Sequence, residues 1–207
     1  MPKRLNVIAH ELKDHAPFTL CGAVTGIILM FLFKDVSAKS SETFFYLFHP
    51  AHVLLSAVVM SSMYIFHSKK VNLVSLLLIG FVGSVAVGTL SDSLIPLVGE
   101  KLLGLHPEAH IGFIEGWYIV NPAALLGIAI AYFWPRTKIT HAGHILLSTW
   151  ASAFHMLMAL DGHLTMSKLV VSFIFLFLAV WLPCCCTDIL FPLLFAKSDV
   201  ETCHCHH

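Results

Sequence analysis

The chain has 207 residues and is 57% hydrophobic, but only 12% charged. Its mean hydropathy is +0.84. A soluble domain carries roughly a quarter charged residues, so this chain has too little polar surface to cover a water-soluble globule. Lysine and arginine balance aspartate and glutamate at 12 each, and that balance excludes the basic field of a nucleic-acid binder.

The N-terminal stretch 1–14 mixes charge with apolar residues, as in Lys3, Arg4, His10, Glu11, Lys13 and Asp14. A cleaved signal would place an apolar core directly after the first positive charges, so 1–14 reads as a short interfacial helix leading into a membrane span.

A span needs about 20 apolar residues, and six segments qualify: 17–33, 44–66, 71–97, 111–134, 141–160 and 169–195. The third carries Asp92 and Pro96, the fourth starts irregularly at Glu115 and Gly116, and the sixth carries Pro183 and Asp188. Kinks or breaks are expected near Pro96 and near Pro183 or Pro192, because proline removes a helix hydrogen bond. With six spans, eight lysines and arginines (3, 4, 13, 69, 70, 136, 138, 197) share one side and four (34, 39, 101, 168) the other. The positive-inside bias makes the first side cytoplasmic and puts both termini there. The expected location is the plasma (inner) membrane.

The two halves resemble each other. Residues 49–56, His-Pro-Ala-His-Val-Leu-Leu-Ser, and 141–148, His-Ala-Gly-His-Ile-Leu-Leu-Ser, agree at five of eight positions. Asp92 and Pro96 recur with the same spacing as Asp188 and Pro192, while Pro17, Leu20 and Gly22 recur as Pro122, Leu125 and Gly127. The chain therefore divides into a leader 1–14, a three-helix repeat 15–105, a second three-helix repeat 106–197 and a Cys/His tail 198–207. Because three is odd, the second repeat enters from the opposite side. The expected fold is an all-α polytopic membrane protein of six transmembrane helices arranged as two inverted repeats, an architecture common among secondary transporters.

The repeated residues are those with chemistry. His49 and His52, three apart, share one helix face. Pro50 suits a first helical turn, so this pair is expected to open the second span near the outer face, with Asp92 at the same level. His141, His144 and Asp188 form the mirrored set, with Cys184, Cys185 and Cys186 one turn before Asp188. Imidazole, carboxylate and thiolate ligands suit zinc, iron or manganese, the thiolates favouring the softer ions. His155 and Glu115 are candidates for a proton or cation relay. Against this stands a plain structural reading, in which span-end histidines sit in the interface and aspartates cap helices. Ionisable residues inside spans are nevertheless functional candidates by default. The six cysteines show no disulfide spacing, and the tail Cys203, His204, Cys205, His206 and His207 carries little weight.

The reading favoured is a small transporter of a divalent cation, with proton coupling as an option. An intramembrane metal-dependent hydrolase and a structural membrane protein are the alternatives. The expected partners are the lipid bilayer and a metal ion or other small solute. A homo-oligomer is allowed.

Overall fold

The computed structural model describes residues 2–105, 107, 110–136, 138–160, 164–184 and 191, with the backbone alone at 2–12, 14–15 and 138–139. Among the described residues every element is helical: α1 (Pro2–Leu32), α2 (Ala38–His67), α3 (Leu73–Leu102), the single turn α4 (Gly112–Glu115), α5 (Trp117–Phe133), α6 (Lys138–Leu160) and α7 (Met166–Trp181). Three stretches, Ala38–His67, Leu73–Leu102 and Thr140–Leu160, are long and apolar enough to cross a membrane. Three shorter apolar helices accompany them, Ala16–Leu32, Trp117–Phe133 and Met166–Trp181.

The polarity is inverted relative to a soluble protein. The interior holds His49, His52, Ser56, Ser61, Ser91, Asp92, Glu100, His144, Ser148 and Ser152, while Phe18, Phe31, Leu47, Trp117, Tyr118, Phe133 and Trp134 face outward. Hydrocarbon solvates the outer apolar side chains, whereas buried polar groups must find partners inside. Helix α5 carries Trp117 and Tyr118 at one end and Tyr132, Phe133 and Trp134 at the other, where amphipathic rings favour the two membrane–water interfaces. These features are those of a membrane protein.

Helix α2 is central. It packs chiefly on α6 and α5 and also on α3, while α1 lies against α6 and α7. The α2–α6 contacts run Phe44 to Phe154, Phe48 to Trp150 and His52 to His144, and Ser62 meets Arg136 just before α6 begins. Residue numbers rise along one helix as they fall along the other, so the pair is antiparallel.

Three local expectations need correction. First, α2 begins at Ala38, with Ser37 accepting from the Ser40 amide as its cap, and Pro50 lies mid-helix. His49 and His52 are therefore near the middle of α2, not at the start of a span. A proline there is tolerable where neighbouring helices satisfy the freed backbone. Second, α1 runs unbroken from Pro2 through Pro17, so 2–14 continues the first apolar helix rather than forming a separate one.

Third, α3 does not break at Pro96. It stays helical and widens into two π-helical turns, Ile79–Gly83 and Leu90–Leu94. A proline ring clashes with the carbonyl four residues before it, here that of Asp92, and a wider turn relieves the clash. The Ile95 amide then donates to the Leu90 carbonyl, five residues back, and the Ser91 carbonyl loses its usual partner. Ser152 of α6 offers one, its single hydroxyl proton shared between Ser91 O at 2.9 Å and Ser148 O of its own helix at 2.8 Å. The corresponding expectation for the sixth span falls mostly on residues outside those described.

Candidate metal centre

Asp92 sits in the second π turn of α3, fully buried, and π turns of this kind recur at functional sites. Its carboxylate is saturated. Oδ2 accepts from His49 Nδ1 at 2.9 Å and from His52 Nδ1 at 2.7 Å. Oδ1 accepts from the hydroxyls of Ser91 at 2.7 Å and Ser148 at 2.8 Å. An ionised carboxylate only accepts, so each imidazole carries a proton on Nδ1. Both Nε2 atoms then point away from Asp92.

The two Nε2 atoms meet different surroundings. His49 is stacked on Phe45, ring centroids 5.3 Å apart, and its Nε2 is buried without a hydrogen-bond partner among the described residues. Gly112 and Gly88 press on this ring, and a Cβ at either position would crowd it. His52 Nε2 instead lies 3.7 Å from Cys184 Sγ. The His144 ring is stacked on that of His52, centroids 5.7 Å apart and 11° from coplanar. One ligand atom each from His52, His144 and Cys184 fall within 4.8 Å of one another, all buried.

One separation in this cluster matches a tetrahedral ion, and the others are bounded by 4.8 Å. Zinc–sulfur and zinc–nitrogen bonds of about 2.3 and 2.05 Å at the tetrahedral angle separate N from S by about 3.6 Å, close to the observed 3.7 Å. Asp92 orients His52 through the other ring nitrogen, the arrangement that outer-shell carboxylates give metal-bound histidines. A sulfur and two imidazole nitrogens favour zinc and softer ions over manganese.

The predicted residues are thus regrouped. His49, His52 and Asp92 do come together, but Asp92 faces the imidazole Nδ1 atoms rather than the ligand cluster. The cluster draws His52 from the first half and His144 and Cys184 from the second. His141, partly exposed on α6, has its ring edge-on to His144 at 4.8 Å. Asp188, Cys185 and Cys186, like the Cys/His tail, lie outside the described residues.

His155 and Glu115 are elsewhere. His155 pairs with buried Glu100, Nδ1 to Oε1 at 2.8 Å, and its Nε2 donates to the His110 carbonyl at 3.2 Å. Glu115 is half-exposed, accepting from His110 Nδ1 at 3.2 Å and from the Tyr46 hydroxyl. Sequence reasoning missed Glu100, Ser148 and Ser152. Glu100 follows Asp92 by eight residues on the same face of α3, and that spacing was the available signal. Ser148 was visible as the repeat partner of Ser56.

The chain matches no protein-family model, no curated protein and no solved structure. The site's own geometry is therefore the ground for a functional reading.

Proposed function

We propose that this protein is a small integral membrane transporter of a divalent metal cation, with zinc the best-fitting ion. The cluster of His52, His144 and Cys184 is the observation that carries this reading. Its ligands come from both halves of the chain, so relative movement of the halves would open or dissolve the site.

Six spans as two inverted repeats form part of the proposal. The antiparallel α2–α6 pair supports it. An offset of 92 residues carries His52 onto His144 and carries Phe44 and Phe154 onto Arg136 and Ser62. Both of those pairs are in contact, the second just before α6 begins, as a two-fold axis passing between His52 and His144 requires. In this arrangement Asp188 would serve His141 and His144 as Asp92 serves His49 and His52. Both termini would be cytoplasmic, as the lysine and arginine bias argues.

The test is zinc binding by the purified protein in detergent, followed by zinc uptake into vesicles containing it. Saturable binding that His52→Ala and His144→Ala abolish, together with uptake, supports the reading. If wild type binds no zinc, nickel or cobalt, the histidines only hold helices together. Metal bound tightly, with no flux across the vesicle membrane, would favour a metal-dependent hydrolase or a structural site.

A further inference from the structure

A second buried group of titratable residues lies apart from the metal cluster. Glu100 of α3 and His155 of α6 are an ion-pair-like couple, 0% and 2% exposed, with 2.8 Å between Oε1 and Nδ1. The His110 carbonyl can only accept, so His155 carries a proton on Nε2. One further proton is then shared between Nδ1 and Oε1. With it the couple is neutral, as imidazolium–carboxylate or imidazole–carboxylic acid. Without it the couple carries one negative charge. Among the described residues Glu100 Oε2 has no hydrogen-bond partner, and without the shared proton Oε1 faces only the Nδ1 lone pair, so the deprotonated state leaves a buried carboxylate with neither oxygen satisfied, which is costly.

The couple has a route outward and a barrier inward. His110 lies next to His155, ring centroids 6.3 Å apart. Its Nδ1 meets Glu115, and these two side chains are 22% and 44% exposed. On the other side, Phe45 stands edge-on to His155 and face-on to His49, 5.3 Å from each. An apolar ring therefore separates this couple from the Asp92 histidines. Among the described residues, the titratable groups facing it are His110 from the 103–111 connection, Glu115 of α4 and, through Glu115, Tyr46 of α2. Asp92 lies two turns away on α3, and α7 brings Phe175 against Gly99. His106 and Glu108 of the same connection lie outside the described residues.

We propose that Glu100 and His155 form a proton-binding site, separate from the metal cluster and reached from the surface through His110 and Glu115, that holds the coupling proton for transport. The proton enters at Glu115 or His110 and is taken up between Glu100 Oε1 and His155 Nδ1. No other bond changes. The coupling role rests on the transport reading, but the proton site does not.

Two measurements on the full-length chain separate these claims. In detergent, pH-difference infrared spectra record carboxyl and imidazole bands together. The expected result is one titration step in which bands of both groups change, lost in Glu100→Gln and in His155→Gln and kept in Asp35→Asn, which alters an exposed carboxylate of the turn between α1 and α2. A wild-type spectrum with no titrating band removed by either substitution overturns the proton site, whatever zinc does. In vesicles, wild-type zinc uptake should respond to an imposed pH gradient. Glu100→Gln should bind zinc with unchanged affinity and lose that response. If Glu100→Gln keeps the gradient response, the coupling role is wrong. If wild type neither binds nor carries zinc while the infrared step is present, the transport reading fails and the proton site stands.

Discussion

His52 Nδ1 lies 2.7 Å from Asp92 Oδ2, and that contact determines which edge of the imidazole remains for a ligand. With the proton held on Nδ1, the Nε2 lone pair faces Cys184 and His144. Asp92 would therefore act on a bound metal through His52 rather than by binding it, and the variants at this site should divide along that line.

Asp92→Asn keeps the shape and removes the charge. Zinc affinity should fall by roughly 10–100-fold, the usual effect of losing an outer-shell partner, without abolishing binding. His52→Ala should abolish it. Competition with a chromophoric chelator checks both, and equal losses in the two variants would make Asp92 a direct ligand.

Cys184→Ser should reorder metal preference. Replacing sulfur by oxygen weakens zinc and cadmium far more than manganese. With cobalt as the probe, wild type should show a sulfur-to-metal charge-transfer band and the variant should not. A thiol must lose its proton to bind metal, so wild-type zinc affinity should rise with pH. That dependence should be shallower in Cys184→Ser. Identical cobalt spectra would place Cys184 outside the site.

Gly88→Ala adds a Cβ 2.7 Å from Val53 Cγ2 and 3.3 Å from His49 Cε1. Helix α3 must then move off α2 at the level of His49. Overpacking of this kind costs about 1–3 kcal/mol. Thermal unfolding in detergent should report it, together with weaker zinc binding through the displaced Asp92. An unchanged melting temperature would mean that α2 and α3 are less closely packed.

Ser152→Ala leaves the Ser91 carbonyl of the π turn without its donor, a loss of about 1–3 kcal/mol for a buried group. Ser152→Thr retains the hydroxyl and should recover most of the stability. If the alanine variant is as stable as wild type, the widened turn does not depend on α6.

The apolar segments and their order were legible in the sequence, as was the presence of histidine, aspartate and cysteine within them. Hydropathy and helical spacing are local properties, and a histidine or aspartate inside an apolar run stands out wherever it occurs. The antiparallel pairing of α2 with α6 could likewise be anticipated from the repeated His-x-x-His segment and the three apolar segments expected in each half. Depth was not legible. Pro50 reads as a helix start, yet the Ser37 cap starts α2 twelve residues before His49, and this shifts the histidines to mid-helix. The response of α3 to Pro96 was also hidden, because a break and a π turn both relieve the same clash and the Ser152 hydroxyl favours the second. Tertiary packing alone decided that His52 joins His144 and Cys184 across the two halves while Asp92 stays behind the imidazoles. It also buried Glu100 against His155, fifty-five residues away. Such partnerships depend on which helix faces meet, and no local pattern records that.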